Sequence, residues 1–506
     1  MLIRWLADVY RGVVRWNDGA RHLILTAVLR ELEQGGKGMA DNNLALMAHL
    51  MRRAGFGVPY EELERRVARG YEATVEELLH PEEQPDIQLD LMQRYMAGWR
   101  GMANLMANQA YWAYRMVNSP RQLEEKMCLF WHSIFCVGDS KCMAANQILL
   151  QLNKFRGHGF GRFSNLLMDL ASDPAMIYYL DNQLSHKHAV NENWGRELLE
   201  LFSMGVGMDA RPNYTEEDVK ECARAFTGWT IANGIPRYPY GRYENQFLYN
   251  KYDHDDDEKT FLGERGRFNG QDIIDIIAKQ PATARFISRH LYNFFVADEP
   301  QVPAWQTTPP RDPAAIKMLE DEYFRSGYEI RPMLRVLFNS DFFKNARFAK
   351  VKSPAEVVAG TLRLVGDFTR PKPRLYDPAL QIRYMGQDLL NPPTVEGWHT
   401  GQEWIDSGTL LERINFMAGQ MGGIHTPGIR AIIDRLGSEG PTMSAERLVA
   451  GCLEMIGGYE LMEETHTLLL THARTGGTLR TGTEEFAQRV GQMLQLIVSS
   501  QEYQFA

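Results

Sequence analysis

Cysteine is scarce in this chain. Cys128, Cys136, Cys142, Cys222 and Cys452 are the five in 506 residues, an odd and sparse set from which no disulfide framework is built. Reduced thiols in a cytoplasmic setting are the reading this supports. Long apolar runs are missing too: no stretch reaches the roughly 18–20 uninterrupted apolar residues that span a bilayer, so no transmembrane segment is expected. In the opening MLIRWLADVYRGVVRW, Arg4, Asp8, Arg11 and Arg15 break every run before it becomes the apolar core of a secretory signal. Net positive charge is lacking as well. The 64 acidic residues against 55 basic ones leave −9, the wrong sign for a protein that coats nucleic acid. Also absent are the GxxxxGK[ST] phosphate loop, the HExxH zinc helix, the GxSxG elbow and the CxxC pair. What remains, 44% apolar and 24% charged, is a globular chain long enough for more than one average domain.

Its dominant pattern is helical. Apolar residues recur at three and four in LALMAHLMRRAGFG, in EELERRVARGYEATVEELL and in the methionine-rich LMQRYMAGWRGMANLMANQAYWAYRMVN. Thr215 followed three residues later by Asp218 marks a capped helix start. Residues 230–270, rich in Gly, Tyr and Asp, break the habit and read as a loop with one small hairpin near FLYNKY. DEPQVPAWQTTPPRDP (298–313) reads as an extended, proline-rich connection. The expected fold is mainly α. A large multi-helical single core covers 39–424, with the small β-hairpin and loop insertion around 230–270, and a short C-terminal helical appendage covers 425–506. Residues 1–38, with six basic and four acidic side chains, form an amphipathic N-terminal extension, either a detachable docking helix or a poorly packed addition.

Three segments carry residues suited to chemistry. In the helix from 191, Glu192, Arg196 and Glu200 fall at i, i+4 and i+8, flanked by Asn193 and Glu197 and opposite Trp194, Leu198 and Leu201. Such carboxylates around an arginine either bind a divalent ion, supply a general acid and base, or form a solvated face of ion pairs worth about 0.3–0.5 kcal/mol each. Around 122–137, Glu125, Cys128, His132 and Cys136 share one helix face, as zinc ligands would, although Phe130, Trp131, Ile134 and Phe135 equally suit a packed core. In YDHDDDEKTFLGE, Asp253, Asp255, Asp257 and Glu264 imitate a calcium loop, with Glu258 where a glycine belongs. The same loop offers His254-Asp255 as a proton-transfer or metal pair.

Eight motifs occur in order: LMRRAGFG (50–57), KMCLFWHSIF, SDPAMIYYLDN, NENWGRELLELFSMGVG, YTEEDVKECARAFTGW, HDDDEKTFLG, PATARFISRHLYNFFV and NPPTVEGWHTGQEW. Together they resemble the bacterial domain-of-unknown-function family 1800 over about residues 42–420, with a fainter match through SSQEYQFA. The resemblance implies a largely helical protein, often exported and often encoded beside a member of family 1501, which resembles the alkaline-phosphatase and sulfatase fold. The family's recurrent polar positions map onto His132, Asn191, Glu192, Arg196, Glu197, Glu200, Asp218, Arg224, Trp229, His254, Asp255, Lys259 and Trp398.

Taken together, these features predict an enzyme with a buried Glu/His/Arg site and hydrolytic chemistry. Glu192, Arg196, Glu197, Glu200, His254, Asp255 and Lys259 are its expected catalytic residues, with Arg196 and Lys259 positioning an anionic substrate group. His132, Glu197, Glu200 and His254 are the expected holders of a divalent metal ion. The alternatives are a non-catalytic scaffold that binds the phosphatase-like neighbour, and a calcium-stabilised loop.

Overall fold

The computed structural model describes residues 38–87, 104–142, 145–208, 210–232, 245–475 and 477–506. The amphipathic segment 1–37 and the 91–103 part of the methionine-rich stretch lie outside the described residues. Helices dominate from the start: α1 (Gly38–Arg53), α2 (Tyr60–Arg69), α3 (Tyr71–Leu79), α4 (Leu105–Asn118), α5 (Gln122–Ile134), α6 (Ala145–His158), α7 (Phe163–Ala171) and α8 (Pro174–Tyr179). Next come α9 (Asn193–Glu200), a two-residue pair β1 (Gly207–Met208) and β2 (Arg211–Pro212), and α10 (Glu216–Ala225). Two hairpins follow, β3 (Trp229–Ala232) with β4 (Gln246–Tyr249) and β5 (Lys259–Phe261) with β6 (Glu264–Gly266). Beyond them are α11 (Gly270–Ala278), α12 (Pro281–Phe295), α13 (Pro313–Arg325), α14 (Ile330–Asn339), α15 (Pro354–Val365), α16 (Asp377–Tyr384) and α17 (Ser407–Met421). The last four helices are α18 (Pro427–Gly437), α19 (Ala445–Met455), α20 (Glu463–Arg474) and α21 (Glu484–Val498), with a short pair β7 (Thr442–Met443) and β8 (Leu479–Arg480) among them.

Helix boundaries follow local chemistry. At the start of α10 the Thr215 hydroxyl accepts from the Asp218 amide at 3.2 Å while the Asp218 carboxylate accepts from the Thr215 amide at 2.9 Å, the capping box that the spacing predicts. The same device opens α11, α15 and α17. Proline at the first helical position, where no amide is needed, begins α12, α13 and α15.

Two details differ from expectation. The insertion holds two hairpins rather than one, because Leu262 and Gly263 both take positive φ (48° and 83°) and close a tight turn between β5 and β6. The usual Asn-Gly or Asp-Gly signal is missing there, so the turn is invisible in the sequence. The proline-rich stretch is not extended throughout. Val302–Gln306 forms a 3₁₀ turn, and the Trp305 indole N–H donates to the Pro300 carbonyl at 2.7 Å.

One cluster of buried apolar side chains runs from Met47 to Tyr503. Helix α5 lies inside it, with Met127, Phe130 and Trp131 almost wholly buried. Helix α17 packs on both α15 and α21, and Ile429, Leu436, Val490 and Leu494 from beyond residue 425 belong to the same cluster.

A buried charge group ties the N-terminal motifs to this core. Glu356, on the first turn of α15, accepts from Arg53 Nη1 at 2.9 Å and from Lys126. Arg53 also donates from Nε to the Phe295 carbonyl at 3.1 Å, and Lys126 to the Gly55 carbonyl at 2.9 Å. Burial alone would raise the Glu356 carboxyl, but the Lys126 and Arg53 charges outweigh it and hold it well below the usual carboxylate range. Burial pushes the Lys126 amine down to about 8, against the pull of Glu356. Removing one partner of such a group leaves the others charged and uncompensated. Glu356→Gln is therefore expected to lower unfolding stability by about 3–5 kcal/mol, read as a fall in the urea midpoint, whereas Glu216→Gln on the surface leaves the midpoint in place. Equal midpoints for the two variants would contradict this role.

Candidate functional site

Glycine at one position decides where the acidic helix lies. A Cβ at Gly195 would stand 3.0 Å from both the Val219 carbonyl oxygen and the Ala223 amide nitrogen. Any side chain there would crowd the backbone of α10 and push the two helices apart by a few tenths of an ångström. The apolar side of α9 buries Trp194, Leu198 and Leu199, and Trp194 meets Phe226 edge-on at 5.6 Å.

The polar side divides in two. Glu192 and Arg196 face outward, each with more than a third of its side chain exposed. Arg196 donates to both oxygens of Glu216 at 3.0 and 2.7 Å and to Glu192 at 3.4 Å. These hydrogen bonds to Glu216 hold its guanidinium further up than usual. That half is a solvated ion-pair face. Glu197 and Glu200 belong to the other half. Glu197 makes no side-chain hydrogen bond or ion pair among the described residues, although its backbone carbonyl accepts from the Leu201 and Phe202 amides. Its burial, then the charges of Glu200 and Glu396, push its carboxyl up to about 7. Three carboxylates thus share one region with only the engaged Arg196 nearby.

A cleft of about 340 Å³ opens beside Glu200. Its walls are the turn after α9 (Glu200–Gly207), the face of α12 bearing Arg285, Phe286, Arg289 and His290, the 301–306 turn with Trp305, and Glu396, Trp398 and His399. Size and lining suit a small molecule: apolar and aromatic walls with a few convergent polar groups. Arg289 is fixed in place. It donates to Glu299 at 2.9 and 2.7 Å and to the Thr308 and Pro309 carbonyls, and it lies 4.5 Å over the Trp305 ring. His290 sits between Phe286 (4.3 Å) and Trp305 (4.6 Å). Its Nε2 is enclosed without a partner, and burial, aided by Arg289, pushes the ring down to about 3, so it is neutral at pH 7. His399 pairs with Glu403 at the rim.

His132 lies one layer behind this cleft. Its ring packs edge-on against Trp398, a cleft residue, and against Trp112, both at 5.4 Å. Neither ring nitrogen has a partner, and burial pushes the imidazole down to about 3. The neighbours on its helix are engaged elsewhere. Glu125 binds Arg115 and Arg156; the Cys128 and Cys136 thiols donate to the Leu152 and His132 carbonyls, and burial pushes both up.

His254, Asp255 and Lys259 do not join this region. Gly195 contacts α10 at Val219 and Ala223, whereas the opposite face of α10 presents Asp218, Glu221 and Arg224 to the β5–β6 hairpin. Arg224 donates to Asp255 at 2.7 and 3.3 Å and to Glu221 at 2.7 Å. The Glu221 carboxylate accepts from the Thr260 amide and Asp218 from the Leu262 amide. His254 Nδ1 donates to the Thr227 carbonyl at 2.9 Å, and Lys259 is spent on the Asp255 and Asp257 carbonyls. This network fastens the hairpin to α10. The expected joint pocket of His132, the α9 acids and His254-Asp255 is therefore split by α10, and Arg196 and Lys259 are both occupied. The calcium-like loop is likewise taken up, Asp253 by His186 and Asp255 by Arg224. Among the described residues, no three His, Cys, Asp or Glu side chains are grouped to hold a metal ion. The metal set His132, Glu197, Glu200 and His254 does not converge.

Glu396, His399, His290 and Trp305 are cleft residues that spacing along single helices did not reveal. They come from separate segments, and the motifs PATARFISRHLYNFFV and NPPTVEGWHTGQEW were the signal that held three of them. A family model described as a protein of unknown function (DUF1800) matches residues 49–505. No curated protein and no solved structure matches the chain.

The Glu197 carboxyl fixes a stability profile. Its native value lies above the unfolded one, near 4.3, so the native state binds the extra proton and stability falls as pH rises from about 4.5 through 7. Glu197→Gln removes that dependence. Discounted for partial solvent exposure, the variant is expected to be about 1–2 kcal/mol more stable than the parent at pH 8 and equal to it near pH 4.5. Thermal unfolding of both proteins across that range checks it; parallel curves would contradict it.

Proposed function

Since the chain belongs to the DUF1800 family, whose function is unknown, we propose from the cleft chemistry that it is an enzyme working by general acid–base catalysis, hydrolytic in outcome. The observation that carries this is the Glu197 carboxyl at about 7, beside Glu200 and Glu396 on the wall of a 340 Å³ cleft. A carboxyl poised near neutral pH both donates and accepts a proton readily. At pH 7 the Glu197 carboxyl holds its proton about half the time. In the protonated state it gives that proton to a leaving group. Glu200, on the cleft wall, then receives a proton from the attacking water. His290 stays neutral and offers its enclosed Nε2 to a polar group of the substrate. Arg285 and Arg289 on the wall are paired with Glu320 and Glu299 outside it. The Glu200 and Glu396 carboxylates, unpaired among the described residues, therefore favour a neutral or cationic substrate, with an apolar face stacked on Trp305 or Trp398.

The test is a panel of chromogenic neutral esters, amides and glycosides, run with the parent and Glu200→Gln. The parent is expected to turn over one class with a pH–rate limb near 7. The variant, with an unchanged circular dichroism spectrum, loses about 10²–10⁴ in kcat. Equal turnover by both, or no turnover anywhere in the panel, contradicts the proposal. Elemental analysis of the same preparation reports whether a divalent ion travels with the protein.

A second reading has its own support. On β4, Phe247, Leu248 and Tyr249 are exposed, as are Tyr252, Leu184 and Val190 nearby, an apolar face suited to a partner. In that reading the chain is a helical scaffold for the phosphatase- or sulfatase-like family 1501 neighbour. Leu248→Lys is expected to abolish co-purification with that neighbour while leaving any hydrolysis intact; undiminished co-purification would remove this reading.

A further inference from the structure

The LMRRAGFG motif has a second consequence, unconnected with the cleft. Six basic side chains, Arg52, Arg53, Lys126, Lys350, Lys352 and Arg413, gather around Glu356. Lys350 is paired with Asp298, and burial followed by the Arg52 charge pushes the Lys352 amine well below its ordinary value. The Glu356 carboxylate is fully used: one oxygen accepts from Arg53 and Lys126, the other from the Ser353 amide at 2.7 Å. Several cationic donors are left over. Arg52 gives Nη1 to the Gly457 carbonyl at 3.1 Å, but its Nε and Nη2 are enclosed without a partner. Arg413 gives Nη1 to the Lys352 carbonyl at 2.9 Å and leaves its own Nε and Nη2 enclosed and unpartnered. Lys352, almost wholly buried, donates to the Tyr459 hydroxyl at 2.8 Å and the Tyr503 carbonyl at 2.6 Å, both neutral.

A cavity of about 60 Å³ lies here, lined by Arg52, Lys352, Tyr459 and Tyr503 together with Ala506 and the engaged Glu356, and it shares no lining residue with the cleft. It is roomy enough for a water cluster or for one small ion. Water satisfies unpaired donors, but it does not neutralise a surplus of buried positive charge, and buried charges are stable only when paired. The aromatic rings over Arg52 (Tyr459 at 4.8 Å, Phe348 at 5.3 Å) hold the guanidinium in place without supplying a negative group.

We propose that this cavity binds one small inorganic anion, chloride or a tetrahedral oxyanion, between Arg52 and Lys352. The anion completes the charge balance that Glu356 leaves unfinished. It also bolts together four distant parts of the chain: the end of α1, the entry to α15, the segment carrying Tyr459 and the segment carrying Tyr503.

The experiment starts from full-length protein exchanged into sodium gluconate, whose anion is too large for the cavity. Chloride and inorganic phosphate are then titrated separately at constant ionic strength while the melting temperature is followed. The expected result is a saturable rise of several degrees with at least one of the two anions, since a ligand that binds only the folded state stabilises it. The anion that saturates names the occupant. In Arg52→Met, which keeps most of the side-chain volume, the rise is lost. A rise that never saturates, or one of equal size in the parent and Arg52→Met, overturns the proposal. Should Arg52→Met fail to fold, crystals of the parent grown with bromide or with phosphate decide. An anomalous bromide peak or tetrahedral density in the cavity supports the site, and water alone in both overturns it.

Discussion

Helix α9 lies close against α10 because residue 195 carries no side chain, a Cβ there being 3.0 Å from two backbone atoms of α10, which would have to give way by a few tenths of an ångström. That single approach sorts the polar residues of the whole region. It fixes the rotation of α9, so that Trp194 and Leu198 are buried, Glu192 and Arg196 meet Glu216 at the surface, and Glu200 lines the cleft with Glu197 close behind it. It also commits one face of α10 to α9. The opposite face, with Asp218, Glu221 and Arg224, is left to grip the β5–β6 hairpin. Two polar networks that look continuous along the chain are thereby separated by the width of a helix.

The same residue type then behaves in opposite ways according to its company. Glu356 is buried among cations, and its carboxyl is held well below the ordinary range. Glu125, wholly buried between Arg156 and Arg115, is held down at about 2 by their charges despite its burial. Glu197 is less deeply placed, yet its neighbours are Glu200 and Glu396, and it rises to about 7. Burial sets the cost of the charge, and the sign of the nearest neighbours decides which protonation state meets that cost. The paired glutamates act as fasteners of the fold. Glu197 remains free to exchange a proton, and it does so beside a cleft, where such a group is useful.

Much of the fold was legible in the sequence, because helix signals are local. The Thr215–Asp218 cap, the 3.6-residue stripes and the break around 230–270 all reflect contacts within a few residues. The Leu262-Gly263 turn escaped because leucine is an unusual occupant of a positive-φ position. The candidate site was legible only in part. Glu197 and Glu200 stood out by spacing, but their partner Glu396 and the cleft residues His290 and Trp305 lie about 90–200 positions further on, and periodicity along one helix carries no information about them. His254-Asp255 drew notice as a reactive pair. Arg224, from a neighbouring helix, turns Asp255 into an anchor, while the Thr227 carbonyl takes His254. His132, expected as a metal ligand, is a fully buried imidazole without a partner, which is uncommon. Its place is behind Trp398, not beside the acids.

The central claim is that one glutamate of the α9 group keeps its proton to neutral pH. Carboxyl-carbon NMR of the protein labelled at glutamate δ-carbon tests it most directly, with the chemical shifts followed from pH 3 to pH 9. The account predicts one resonance titrating near 7 that vanishes in Glu197→Gln. A spectrum in which every glutamate titrates below about 5.5, with none altered beyond the loss of one ordinary signal in Glu197→Gln, would contradict it.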